Sequence, residues 1–471
     1  MTTIFILLAV TAGFAWVLHL SEYKDMRKDL SSLLPLYKIE NDLILSKQGD
    51  VTAVFELMLP EIFTLSNDQH EQLHQAWIKA IKILPRHSIL HKQDYFFRDA
   101  YKADFDKDGF LSRSSEAFFN ERPFLNHRCY LMLTRKMTGR KPSSSVMSNL
   151  LRKKITASGS VAPREMHEFL DVIGQFERVI SDTGLVRFKR LKADAIAGDK
   201  NKAGLLESYL FLDGSNKTPN IKDIVFKPEW KIGENYMQLY TLAEAEDLPP
   251  TCSSNMHFDR YSSEHTRFSI GFASPLGLLL NCNHIYNQFI VVDDMQVTMK
   301  KLEAKRLRLQ SLSAYSRENA IARDATSDFL NEAISEGRLP IKAHFNIQAW
   351  TDNPDELKDL RNAAASAITQ INGQPKQETK GAAQLFWAGL PGNAADLPMN
   401  ECFDSFAEQA ACFLNMETNY RSSISPIGVR LGDRITGMPV HVDLSDEPMR
   451  QGVITNRNKF ILGPSACRVA A

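Results

Sequence analysis

Over Val51–Leu57 (VTAVFEL) apolar and polar residues alternate with the two-residue period of a strand. The period then changes. Between Ser66 and Leu84 apolar residues recur at Leu73, Trp77, Ala80 and Ile81, a spacing that a helix gathers on one face. Ser66 or Asn67 is placed to cap that helix and Pro85 to end it. Arg128–Arg135 (RCYLMLTR) predicts a buried strand, and Glu165–Ile180 and Lys301–Tyr315 predict amphipathic helices. Ala343–Trp350 predicts a strand followed by a helix over Pro354–Ile371; Leu385–Ala388 predicts a short strand and Phe403–Leu414 a helix. Strand signals are densest near the end, at Ile427–Leu431, Val440–Leu444, Val453–Thr455 and Lys459–Leu462, with turn residues Gly432, Asp433, Gly437 and Pro439 between the first two. Lys141–Ser145 and Asn372–Lys380 are polar loops, and no repeat of solenoid length is present.

The first residues follow neither period. Ile4–Leu20 (IFILLAVTAGFAWVLHL) is apolar throughout, and the first charged side chain is Glu22. A membrane-spanning helix needs about 20 such residues. Lys24, Arg27 and Lys28 follow it, which by the positive-inside rule leaves the bulk of the chain on the cytoplasmic side. A cleaved leader calls for positive charge ahead of the apolar run, and a surface-lying helix calls for a polar face; neither is present. The expectation is a transmembrane signal anchor over residues 1–20 and a polar linker over 21–35.

Composition adds limits. The 471 residues suffice for two or three domains, and 44% of them are hydrophobic, enough for a sizeable core. Lys plus Arg equals Asp plus Glu at 56 each, so overall charge gives no reason to expect direct nucleic-acid binding. The six cysteines form no C-x-x-C pair and no zinc-type spacing with histidine, and they read as reduced, mostly buried thiols.

Four patterns could carry chemistry. Asp104, Asp106, Asp108 and Gly109 match the first half of a calcium loop and Leu111 suits its apolar position, but position twelve is Ser115 and Glu116 comes one residue late. An acidic surface turn is expected there. Asn281–Asn287 (NCNHIYN) puts Cys282 and His284 on one face of a strand, with nothing to lower the thiol pKa; a buried structural cluster is expected, as for His344 and His441 in their strands. His70–His74 (HEQLH) has the H-E-x-x-H form that sets two imidazoles on one helix face beside Glu71, without a third ligand; a solvated helix face is expected. Last, Lys459–Ser465 (KFILGPS) runs an apolar strand into Gly463, Pro464 and Ser465, the way a phosphate loop G-x-x-x-x-G-K-[ST] begins. Counting from Gly463, Arg468 stands where that loop has its second Gly, Val469 where it has Lys, and Ala470 where it has Ser or Thr.

Glu417–Ser465 resembles the TraG family of conjugative-transposon ATPases of Bacteroidetes-type elements. So do Phe119–Lys136, Asn283–Ile290, Ala343–Trp350 and Leu390–Pro398, all in the same order along the chain. The resemblance spans about Leu36 to Ser465. It implies a type IV secretion assembly ATPase, with a mixed α/β (α+β) N-terminal region and a RecA-like P-loop motor. In these terms residues 36–426 are the assembly region, and 427–471 are the first strands of the motor, broken off at the phosphate loop. The family uses ATP and magnesium. For this chain no cofactor, metal or catalytic residue is expected, and Gly463, Pro464 and Ser465 are a non-functional remnant. The resemblance further implies inner-membrane secretion components as partners, self-association, and a place at the bacterial inner membrane. The function expected is assembly and docking for DNA transfer. The alternatives are a decayed or frameshifted product without activity and, more remotely, a membrane-anchored metalloenzyme using His70 and His74.

Overall fold

The computed structural model describes residues 34–106, 110–137, 163–199, 201–212 and 221–460. The chain enters through three strands, β1 (Leu36–Glu40), β2 (Leu43–Ser46) and β3 (Val51–Met58). Helix α1 (Asn67–Ile83) follows. Its start is written in the sequence: the Ser66 side chain accepts from the Gln69 N–H, and the Gln69 side chain accepts from the Ser66 N–H, a reciprocal capping box. Strand β4 (Ser88–Ala100), helix α2 (Phe110–Phe119) and strand β5 (Pro123–Arg135) come next, then helix α3 (Pro163–Ser181) and strand β6 (Arg187–Arg190). Helix α4 (Leu205–Phe211) precedes β7 (Ile224–Val225), β8 (Lys231–Ile232) and β9 (Asn235–Leu242). A small separate pair, β10 (Asn255–His257) and β11 (Ser269–Gly271), leads to β12 (Asn283–Val292). Helices α5 (Met295–Leu312) and α6 (Arg317–Ser335) separate β12 from β13 (Pro340–Thr351). Then come α7 (Leu357–Gln370), β14 (Lys376–Glu378), α8 (Ala382–Gly389), β15 (Phe403–Phe406), α9 (Ala407–Ala411), and a hairpin of β16 (Val429–Gly432) and β17 (Pro439–Val442).

Among the described residues thirteen of these strands form one sheet, in the order β1-β2-β3-β5-β4-β12-β13-β9-β8-β7, with β6 on β3, β14 on β9 and β15 on β13. Every pairing is antiparallel, and β4 and β5 pair along their whole length, from Ser88↔Arg135 to Ala100↔Pro123. Both faces of the sheet are covered. On one, Leu90, Leu131, Tyr286 and Phe345 meet α1, α3, α7 and α9; on the other, Ile89, Met132, Phe289 and Trp350 meet α4 and α8. Trp77 of α1 is fully buried and meets Phe176 of α3 edge-on, ring centroids 6.0 Å apart.

The mixed α/β body is therefore present, with one large antiparallel sheet as its centre, and two parts of the expected fold class need correction. No helix among the described residues is long and apolar enough to cross a membrane; residues 1–20, where one was expected, lie outside them. The expected first strands of a RecA-like domain are instead the β16–β17 hairpin, an antiparallel pair standing apart from the large sheet. Only residues 433–438 separate the two strands, too few for the crossover that a parallel pair requires.

Four local expectations also change. Within Asn372–Lys380, expected as a loop, Lys376–Glu378 form β14 against β9. Leu385–Ala388 lies inside helix α8, because four apolar residues fit a buried helix as well as a strand. Phe403–Leu414 starts as strand β15, pairing Phe406 with Pro340 at the edge of β13, before α9 begins. Val453–Thr455 is turn and irregular chain, as are Lys459 and Phe460.

Candidate functional site

The segment that leads to the expected phosphate loop begins in the centre of the sheet. Residues Asn415–Asn419 run as a mostly buried strap across it. The Asn415 amide donates to Asp94 Oδ1 at 3.0 Å, and its N–H donates to Gln288 Oε1 at 2.9 Å. Glu417 Oε2 accepts from the Gly271 N–H at 2.8 Å and the Ser274 hydroxyl at 2.7 Å. Thr418 bridges to Glu61 in parallel fashion and its hydroxyl meets His127 Nδ1 at 2.7 Å. Asn419 donates to the Leu125 carbonyl at 2.8 Å.

Asp94 is the polar centre of this arrangement and is fully buried. Its Oδ1 receives His127 Nε2 at 2.9 Å as well as Asn415, and its Oδ2 receives Lys92 Nζ at 2.5 Å and Gln288 Nε2 at 2.6 Å. Burial alone would raise the carboxyl pKa; the Lys92 charge and the His127 hydrogen bond outweigh it and hold the group well below the usual carboxylate range. Beside this node Phe96 stacks on His127 at 4.3 Å and on His284 at 4.5 Å, one ring from each of three adjacent strands. The sequence reading passed over Lys92, Asp94 and Gln288. The one local signal was Lys92 and Asp94 two apart in a segment flanked by apolar residues, which puts both on one face of a strand.

Beyond the strap, the hairpin lies beside a cleft of ≈ 710 Å³ lined by Glu61, Tyr420, Arg421, Arg434, His441 and Glu447, among others. Arg421 donates to the Leu59 carbonyl at 2.6 Å, and burial pushes the Tyr420 hydroxyl up to about 12. The hairpin turn is closed by Asp433, whose carboxylate accepts from the Thr436 N–H at 2.8 Å and from its hydroxyl at 2.5 Å. Gly437 sits there at φ +74°, where a side chain would be strained. Arg430 of β16 pairs with the buried Glu116 of α2 at 2.9 Å. Glu116 also accepts from the Tyr101 hydroxyl at 2.7 Å and the Asp104 N–H at 3.1 Å. The carboxylate that came one residue late for calcium thus ties the acidic turn to the hairpin. Asp108 and Gly109 of that turn lie outside the described residues.

The other singled-out histidines are accounted for. His70 and His74 share one face of α1 as expected, but that face is buried, which corrects the solvated-face reading. His70 Nε2 is 3.8 Å from Glu417 Oε1, and both side chains are fully buried. Burial lowers the imidazole to about 4 and raises the carboxyl to about 7, so the imidazole is neutral near neutrality and the two do not make an ion pair there. His74 Nε2 lies 3.0 Å from the Glu408 carbonyl and 3.4 Å from Cys412 Sγ. Glu71 points outward. Among the described residues no three His, Cys, Asp or Glu side chains are grouped to hold a metal ion. Cys282 and His284 are near each other at 3.9 Å, but burial pushes the thiol up to about 12, so it is no nucleophile at neutral pH. His344 is buried against the Glu401 carbonyl at 2.6 Å, whereas His441 is half-buried in the hairpin and meets the Ser425 carbonyl at 3.0 Å. Gly463, Pro464 and Ser465 lie outside the described residues.

Comparison with known families falls on both ends of the chain. Residues 428–469, which begin at the hairpin, match the family model of the TraG P-loop domain. Residues 24–75 match a model described as a domain of unknown function, B. Theta gene description (DUF3875). A search of curated proteins finds no match.

Proposed function

We propose that this chain serves conjugative DNA transfer as a region of a TraG-type secretion ATPase, its sheet-built body docking on membrane-embedded secretion components at the cytoplasmic face of a bacterial inner membrane. The observation that carries this reading is the TraG P-loop match at residues 428–469. It is supported by the buried strap that joins that segment to the sheet. Self-association belongs to the same reading. Nucleotide chemistry does not: a phosphate loop needs a lysine charge and a hydroxyl for magnesium, and Val469 and Ala470 offer neither. Docking needs only the folded body.

The test is interference. Overproducing this chain in a donor that carries a conjugative element with its own TraG-type ATPase is expected to lower transfer frequency, by filling docking places with a copy that cannot drive transfer. Unchanged transfer at matched protein levels would remove the docking role and favour a product without activity.

A further inference from the structure

β12 and β13 are adjacent antiparallel strands, with Val291 opposite Lys342. Two residues suffice to join such a pair. The chain instead spends residues 293–339 there, folded as the α5–α6 helical hairpin. An insertion of this size where a tight turn would serve is the usual place for a binding element. Its base is anchored: Phe329 stacks on Phe406 at 4.2 Å, and Arg86 pairs with Asp294 at 3.0 Å. Otherwise the two helices bury little, only Leu302 and Leu309 on α5 and Thr326, Leu330 and Ala333 on α6.

The outer face of α5 has a definite chemistry. Val297, Lys301, Lys305, Arg308 and Leu312 follow each other at helical spacing and are all exposed, while Lys300 and Leu307 are exposed on another side of the helix. Among the described residues Lys300, Lys301, Lys305 and Arg308 make no ion pair; the helix's lone carboxylate, Glu303, is taken by Arg306 at 2.6 Å. Aliphatic side chains stand exposed among the cations, Val297 at 48%, Leu307 at 54% and Leu312 at 41%, and the hairpin tip adds Tyr315 at 86%.

We propose that the outer face of α5 is a peripheral docking surface for an anionic phospholipid bilayer. Lys301, Lys305 and Arg308 would meet headgroup phosphates, while Val297 and Leu312 of the same stripe and Tyr315 at the tip reach the boundary with the acyl chains. Charge complementarity selects a polyanion, and the interleaved aliphatic residues select the lipid. Nucleic acid would leave Val297 and Leu312 without a partner, since it is gripped by cations and stacked on aromatic rings. The neighbouring arm, α6, carries four carboxylates, Glu318, Asp324, Asp328 and Glu332, against two arginines, Arg317 and Arg323, with Asp324 paired to Arg323 and Glu332 to Arg338. A flat bilayer can meet α5 alone, whereas a polyanion wrapping the hairpin would meet those carboxylates.

The inference deepens the proposed membrane docking but is tested without it. The purified full chain is mixed with vesicles of phosphatidylcholine alone or with about one-third phosphatidylglycerol, and the bound fraction is measured by flotation. Binding to the anionic vesicles is expected to exceed binding to neutral ones by about tenfold or more, and to fall as salt rises from about 0.1 M to about 0.5 M. The variant Lys300→Gln/Lys301→Gln/Lys305→Gln/Arg308→Gln keeps helix-forming residues at exposed sites and should fold normally. It is expected to lose about tenfold or more of the anionic binding. Val297→Ser/Leu312→Ser/Tyr315→Ser should weaken binding while keeping its salt dependence. All variants share the rest of the chain, so the differences read this face. Equal anionic binding by the wild type and the charge variant would overturn the proposal. So would a charge-dependent preference for double-stranded DNA over phosphatidylglycerol. Vesicle binding without interference in transfer would sink the proposed function and leave this inference standing.

Discussion

Replacing Asp94 by Asn should be among the most damaging single changes the body can suffer. Four donors converge on that carboxylate: Lys92 and Gln288 on one oxygen, His127 and Asn415 on the other. An amide keeps one oxygen, so its NH₂ must face two of those donors, and Lys92, itself fully buried, is left as a cation without a counter-charge. Removing one partner of a buried ion pair costs about 3–5 kcal/mol. That is a large share of the roughly 5–15 kcal/mol that holds a typical domain together. Lys92→Met in the same chain removes the stranded charge, so the double variant should recover about 2 kcal/mol or more over the sum of the two singles. Urea unfolding followed by tryptophan fluorescence measures all four corners of the cycle. The pH dependence has a definite sign. Because the native carboxyl is held low, its contribution is fully present above the unfolded value of about 3.9 and is lost only as pH falls below it toward the native value. The gap between wild type and Asp94→Asn should therefore stay flat from about pH 5 to 8 and close only in stronger acid. A single-variant cost under about 1 kcal/mol, or a coupling within about 0.5 kcal/mol of zero, would refute the reasoning.

Two further outcomes are expected. Glu417, raised to about 7 by burial, holds a proton in the native state that the unfolded chain releases from about pH 4.5 upward, so it subtracts stability as pH rises through that window. Glu417→Gln should gain on the wild type by up to about 3 kcal/mol at pH 8 and by little at pH 5; a pH-independent difference in denaturation midpoints would contradict this. Elemental analysis of purified protein should find no stoichiometric zinc, since His70 and His74 face Glu417 and Cys412 without a third grouped ligand; about one zinc per chain, lost on His70→Ala/His74→Ala, would restore the metalloenzyme reading.

Local physics was legible in the sequence where it acts locally. The Ser66 cap, the Trp77 face of α1, the strand over Ala343–Trp350 and the turn residues Asp433 and Gly437 are each specified by neighbours a few positions away. Strand β4 was not legible. Its centre, His91-Lys92-Gln93-Asp94, is polar yet wholly buried, because its partners arrive from other strands: Asn287 for His91 and Gln93, Gln288 and Asn415 for the Asp94 node. Hydrophobic pattern cannot announce a strand whose polar groups are satisfied some two to three hundred residues away. The same distance hid the burial of HEQLH, since Glu417 and Cys412 supply the opposing surface. Leu385–Ala388 failed differently, as a run too short to carry a period. Of the candidate site, the strand segments near Val429 and Val440 and the turn residues between them were legible, while their antiparallel pairing as a separate hairpin, the cleft beside it and the Glu116–Arg430 tie were not.

The strap at Asn415–Asn419 has a mechanical consequence. Asn415, Glu417, Thr418 and Asn419 are each fastened to a different part of the body, at Asp94, at Gly271 and Ser274, at His127, and at Leu125. Residues 420–428 link the strap to the hairpin, held on the way where Arg421 donates to the Leu59 carbonyl and the Ser423 N–H to the His441 carbonyl. A displacement imposed on residues 428–442 is delivered to the middle of β4 and β5 and, through Glu417, to the underside of α1. A slide of the strap by one residue would carry Asn415, Glu417, Thr418 and Asn419 away from all of these partners at once.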